Sequence, residues 1–204
     1  MQLYYSPTSP YVRKVMITLH ETGQLDDVTL IEGSTKPTNP LSGLAAQNPL
    51  MKIPALTRAD GPTLYDSRVI CAFFDDRAQA GLYASGSRRF EIMTLEATAD
   101  GILDAALLMT YEGKLRPEEA RWDDWVEAQW TKIASACAAL DSRWMGHLNG
   151  PLDMGQIAVA CALGYVDFRH DARNWRKGCD ALAKWYAEFA QRPSMLATVP
   201  PEGM

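Results

Sequence analysis

After Gly81 the chain carries no further β-rich run, whereas the stretch before it alternates short β-branched or aromatic segments with helical spacing. That asymmetry constrains the fold more than any single motif. Strands can pair only with strands, so the sheet must be built within the first part, and the remainder must bury its apolar faces helix against helix. The expectation is an α/β N-terminal domain over residues 1–80, a linker at 81–86, and an all-α helical bundle over 87–204. With 47% apolar residues among 204, the chain can bury cores of this size.

Within the first part, Leu3 to Tyr5 reads as a strand and Pro10 to Glu21 as a helix ending near Gly23. Val28 to Ile31 is a second strand, and a parallel pairing of the two requires a right-handed crossover. Prolines at 37, 40, 49 and 54 forbid a long helix in the next section, leaving one or two turns over Leu41 to Gln47. Ala55–Thr57 and Thr63–Tyr65 flank Asp60-Gly61 as a hairpin, with one of Tyr4 and Tyr5 expected to face the core. Asp66-Ser67 then caps a helix running to about Ala80.

In the second part, Ser87 to about Lys114 predicts one long helix, and Pro117 opens another reaching about Met145. Asp153 with Gln156 forms a capping box before Ile157, Ala158, Ala160, Cys161 and Leu163, an apolar run that predicts a helix buried all round. A last helix covers about Cys179 to Gln191, ended by Arg192-Pro193.

Ser9 is the residue with most chemistry attached. It stands at a helix N-cap position, Pro10 follows at the first helical position, and Val12, Val15, Met16 and Leu19 repeat at helical spacing. A hydroxyl there sits at the positive end of a helix dipole beside free backbone N–H groups, a place suited to an anion. Three roles compete. A nucleophile would need a base, and His20 lies eleven residues along the same helix, roughly 16 Å away, leaving only distant His147 or His170. A plain cap would contribute about 1 kcal/mol and no chemistry. A donor to a bound thiolate would do both jobs.

The net charge of −5 gives no general attraction for nucleic acid or an anionic membrane surface, and no apolar run approaches a spanning length, so small-molecule partners and a cytoplasmic location are expected. Cys71, Cys137, Cys161 and Cys179 contain no C-x-x-C pair, and His20, His147 and His170 are scattered, so no metal site is expected. The cysteines read as reduced packing residues.

The order β-α-β, loop, Ile53-Pro54, hairpin, Asp66-Ser67 opening a helix, then helices only, resembles the cytosolic glutathione transferases. It is most similar to bacterial members with a Ser-Pro-(Tyr/Phe)-Val-Arg-Lys helix, and is similar to the omega, tau and zeta classes. The resemblance implies a thioredoxin-like first domain with Pro54 cis, so that the backbone of Ile53 faces the cysteinyl part of glutathione. It implies that Ser9 and Tyr11 contact the tripeptide, that Asp66 and Ser67 hold its γ-glutamyl end, and that Lys36 meets its glycyl carboxylate. It further implies Asp100 reaching the glutathione of a neighbouring subunit in a homodimer. An electrophile pocket would be lined by Tyr11, Met109 and Tyr111, with Trp122 or Trp125 nearby.

The implied activity is transfer of glutathione, a co-substrate, onto a small hydrophobic electrophile in detoxification, with no metal. Ser6, Tyr4 and Tyr5 are alternative thiol donors, and because no cysteine occurs before Cys71, thiol–disulfide exchange is disfavoured. Two other readings stay open: an interaction protein that keeps the fold without turnover, and a zeta-like glutathione-dependent isomerase.

Overall fold

Alternation along the first strand, Gln2–Tyr5 (β1), buries Leu3 completely and leaves both Tyr4 and Tyr5 only half-buried. Of the two tyrosines it is Tyr5 that shares the face of Leu3, but it is not fully buried. The computed structural model describes residues 1–33 and 37–201. It divides into two compact units, Met1–Tyr83 with Pro193–Met204, and Ala84–Arg192.

In the first unit β1 is followed by helix α1 (Pro10–Glu21), strand β2 (Thr29–Glu32), the single turn α2 (Leu44–Gln47), strands β3 (Ala55–Arg58) and β4 (Gly61–Leu64), and helix α3 (Ser67–Ala78). The sheet order is β2-β1-β3-β4. β1 pairs parallel with β2, and β3 pairs antiparallel with both β1 and β4, which makes a mixed thioredoxin-like sheet. Leu3 lies opposite Leu30 and Leu56, and Leu56 opposite Leu64, so one leucine row runs across all four strands. α1 buries Val12, Val15, Ile17 and Leu19, and α3 buries Ile70, Cys71 and Phe74. Asp75 closes the C-terminal end of α3, its buried carboxylate accepting from the N–H groups of Leu82 at 2.7 Å and Tyr83 at 2.9 Å.

The segment after Arg192 belongs to this unit. Pro193 does not merely end a helix but starts a final turn, Pro193–Leu196, whose Met195 carbonyl accepts from the Arg13 guanidinium at 3.1 Å. Arg13 is buried, so the terminal stretch is held both by buried Met195 and by satisfying a buried cation.

The second unit is helical: α4 (Arg88–Leu115), α5 (Asp123–Ala139), α6 (Met145–Leu148), α7 (Met154–His170) and α8 (Asp180–Phe189). α4 buries Ile92, Leu95, Ala99, Ile102, Leu103, Ala106 and Met109, a helical stripe, against α7, in which every residue from Met154 to Val166 is buried. Their approach is close enough that a Cβ on Gly155 would meet the Leu95 Cβ at 2.9 Å. The predicted capping box is formed: Asp153 Oδ1 accepts from Gln156 N, and Gln156 Oε1 accepts from Asp153 N.

Two helix boundaries differ from expectation. Pro117 opens only a 3₁₀ turn, Glu118–Ala120, and α5 begins at Asp123. The reason lies in α4: Trp122 N donates to Glu112 Oε1 at 3.0 Å and Arg121 Nη2 to Gly113 O at 2.7 Å, so Arg121 and Trp122 are held extended. At its far end α5 gives way to a π-helical turn, Leu140–Trp144, rather than continuing to Met145. There Asp141 Oδ1 accepts from Leu182 N at 2.8 Å, serving the first turn of α8.

His170, at the end of α7, places Nε2 2.9 Å from Ala106 O and 3.1 Å from Thr110 Oγ1 of α4. Burial, helped by Arg173 and Arg169 and only partly opposed by the Ala106 carbonyl, holds its pKa below the ordinary 6.5. The folded state thus binds fewer protons than the unfolded one in the window below 6.5, and stability falls as pH drops through it. Urea midpoints measured from about pH 7 down to about pH 5.5 are expected to fall, and His170→Gln to flatten that slope.

Candidate functional site

The connections that matter leave the sheet at one end. β1 runs out at Tyr5 beside Glu32 of β2, while Tyr4 pairs with Ala55, so β3 starts where β1 stops. β4 runs antiparallel to β3 and ends at Leu64, opposite Leu56. The turn carrying Ser9, the chain after Glu32, the Ile53–Pro54 bond and the Tyr65–Ser67 corner therefore share one edge, although they are far apart in sequence. Two helices, α1 and α3, present their N-termini there. Lys36, expected on the second of these connections, lies outside the described residues.

Ser9 is extended, with φ −83° and ψ 120°, and its Oγ accepts from Val12 N at 3.3 Å. That bond uses a lone pair and leaves the O–H free to donate. Ser9 N donates to Ser6 O at 3.1 Å, tightening the turn, and Ser6 Oγ lies 3.4 Å from Thr8 Oγ1. Tyr11 is half-buried in the first turn of α1. In the second unit His147 Nε2 is bound to Asp153 Oδ2 at 2.7 Å, and His170 Nε2 lies 2.9 Å from Ala106 O of α4.

The Ile53–Pro54 bond is cis. Ile53 lies just outside the β3 ladder, which begins with Ala55, so its backbone groups are not used by β1. The preceding loop is held by buried Asn48, whose Nδ2 donates to Lys52 O at 2.8 Å while its Oδ1 accepts from Leu50 N at 3.0 Å. Asn48 is a supporting residue that sequence reasoning missed, because an Asn-Pro pair in a loop reads only as turn chemistry.

Asp66 is the N-cap of α3, its Oδ1 accepting from Arg68 N and its Oδ2 from Arg68 Nη2, both at 3.0 Å. Partial burial pulls its carboxyl upward, but these bonds, the Arg68 charge and the charge of Lys14 outweigh it, and the net position is below the ordinary carboxylate value. Ser67 is buried at the first position of α3. Lys14 is the second residue that the sequence reading passed over: the apolar stripe of α1 drew attention to its neighbours, yet Lys14 is wholly buried.

The remaining expected residues lie on the second unit. Asp100 is half-buried midway along α4, Met109 is buried in its core face, and Tyr111 is half-buried, its phenol pKa raised by burial and by Tyr165. Trp122 and Trp125 are exposed and stacked, with ring centroids 6.4 Å apart. All four cysteines are free and buried, and burial, with Cys179 and Asp167 adding to it, pushes the Cys137 thiol up to about 12. Among the described residues no cluster of three or more His, Cys, Asp or Glu could hold a metal, and no helix is long and apolar enough to cross a membrane.

Comparison with known proteins agrees with this fold. The family model of the glutathione S-transferase N-terminal domain matches residues 8–77, and that of the glutathione S-transferase C-terminal domain matches residues 123–188. An uncharacterized GST-like protein of Escherichia coli K12, YibF, is 33% identical over 99% of this chain and 100% of its own length. Among solved structures, a glutathione transferase family member from Pseudomonas fluorescens Pf-5 with bound glutathione is 48% identical, covers 98% of each chain, and has a TM-score of 0.95. A Pf-5 family member with bound S-(propanoic acid)-glutathione is 47% identical, covering 98% of this chain and 100% of its own, with a TM-score of 0.90. A glutathione S-transferase from Methylobacillus flagellatus KT with glutathione bound is 32% identical, covering 98% of this chain and 99% of its own, with a TM-score of 0.84. With both domain models matched in order along one chain, and the thioredoxin-like sheet preceding the helices, this protein belongs to the glutathione S-transferase family.

Proposed function

We propose that the protein is a glutathione transferase that ionises the thiol of glutathione at Ser9 and delivers the thiolate to a small hydrophobic electrophile. The observation that carries this is the convergence of four connections and two helix N-termini on one sheet edge, with the hydroxyl of Ser9 free to donate after accepting from Val12 N. An anion gains there from the positive ends of both helix dipoles. The cysteinyl part would lie along Ile53, as an added strand does, with its N–H and C=O outside the β3 ladder. The γ-glutamyl end would be held by Asp66 and Ser67, and Lys36 would meet the glycyl carboxylate.

In the reaction the sulfur forms a bond to carbon, a leaving group departs or a double bond is consumed, and the thiol proton goes to water. A Pf-5 relative that holds an S-alkylated glutathione supports conjugation as the chemistry, since such a thioether is what this attack yields. All four cysteines are buried, and burial raises the thiols of Cys137 and Cys179, which disfavours disulfide exchange through a protein thiolate. We read the protein as a cytoplasmic homodimer with Asp100 serving the neighbouring subunit's glutathione.

Retention on immobilised glutathione, followed by a chloronitrobenzene conjugation assay and light scattering, tests the reading. Uptake with turnover from a dimer is expected. No uptake by calorimetry would end it.

A further inference from the structure

Lys14 ranks with Phe74, Leu3 and Ile17 among the large side chains with no exposed surface. An ammonium in such a place needs an anion or strong acceptors nearby, or it sheds its proton. Its neighbourhood follows from the helix pairing. Thr18 Oγ1, one turn later on α1, donates to Lys14 O at 2.9 Å and reaches Cys71 Sγ of α3 at 3.4 Å. α1 and α3 start at the same sheet edge and pack along each other, so they run in one direction. Stepping back one turn on each, about 6 Å, sets Lys14 level with Ser67, the first residue of α3, with its N-cap Asp66 just beyond. A helix N-terminus already carries partial positive charge and is a poor place for a second cation unless an anion shares it. Asp66, exposed and paired with Arg68 at 3.0 Å, is an anion at that helix start, and its carboxyl is held low in part by the Lys14 charge.

We infer that Lys14 is a positioning residue of the glutathione site: from beneath the first turn of α3 it keeps Asp66 a charged N-cap, and so holds Ser67 and the first-turn N–H groups in place for the γ-glutamyl end. The inference rests on the glutathione reading above. The charged groups that bear on Asp66 are Arg68 on its own helix and Lys14 on α1. Arg58, on the adjoining strand β3, is turned to Asp60 and to the Phe73 ring instead.

The test compares wild type, Lys14→Met and Lys14→Arg by calorimetry with glutathione and with S-methylglutathione, and follows the Asp66 carboxyl by carbon NMR against pH. Lys14→Met is expected to weaken both ligands about tenfold and to move the Asp66 titration upward, with Lys14→Arg restoring both. Unchanged affinity, a loss confined to the free-thiol ligand, or weaker binding with an unmoved Asp66 titration would each overturn it, the last by reducing Lys14 to a packing role. Should Lys14→Met fail to fold, Lys14→Met with Asp66→Asn decides: recovery of the fold supports the charge pair, and continued failure refutes it. Should wild type take up no glutathione, the glutathione reading falls, while the Asp66 titration alone still decides whether Lys14 holds that carboxylate.

Discussion

Replacing Ser9 by alanine is expected to lower conjugation kcat/KM about a hundredfold near neutral pH and to raise the pKa of bound glutathione thiol by about two units. A free thiol titrates near about 8.5, and lowering it by two units takes about 2.7 kcal/mol of added stabilisation of the anion. A hydrogen bond to a charged acceptor supplies about 1.5–3 kcal/mol and a helix N-terminus about 0.3–1, so one hydroxyl at this position accounts for the shift. The same variant loses the bond from Val12 N, which costs about 1 kcal/mol of stability and leaves the fold intact. Its deficit should shrink as pH rises past the free thiol's own pKa, because solution then performs the ionisation. Ser9→Thr, which keeps the hydroxyl, should retain most activity. Ser6→Ala and Tyr5→Phe are the controls. Burial, reinforced by Glu32, raises the Tyr5 phenol pKa, which makes it a poor source of negative charge but leaves it able to donate. If Ser9→Ala leaves thiol pKa and turnover unchanged while either control lowers them, the thiol donor has been misassigned.

The largest loss of stability is expected at Asp153. Its buried carboxylate accepts from Gln156 N at 3.2 Å, His147 Nε2 at 2.7 Å and Arg88 Nη2 at 3.2 Å, so one side chain caps α7 and ties α4 to the loop before it. Asp153→Ala removes the cap and strands His147, which is itself buried, and breaking such a buried pair costs roughly 3–5 kcal/mol. Because α7 is the helix around which the second unit packs, urea unfolding should show that loss as an earlier transition. Asp153→Asn keeps acceptor oxygen without charge and should lose less. A midpoint for Asp153→Ala indistinguishable from wild type would show that the cluster contributes little.

How much of this was legible beforehand depended on the range of the interaction involved. Capping at Ser9, Asp66 and Asp153 was readable because a cap bonds its own helix within three residues, and periodicity picked out α4 and α7 because burial repeats every turn. Pro117 suits a helix start, but Glu112, ten residues from Trp122, holds Trp122 extended and delays α5 to Asp123. Tyr5 shares the face of buried Leu3 yet is only half-buried at the strand's end, since alternation sets which face a side chain takes and not how far that face is covered.

Sequence by itself determined the mixed first unit, the helical second one, the caps, and through motif order the family. Only the tertiary structure decided that Pro193 onward returns to the first unit, that Asn48 supports the Ile53 loop, and that Lys14 lies buried level with Ser67. Local hydrogen bonding and periodic burial are encoded over a few neighbouring residues. A buried charge and its counter-ion from a different helix are encoded only once the chain has brought positions about fifty residues apart to one sheet edge.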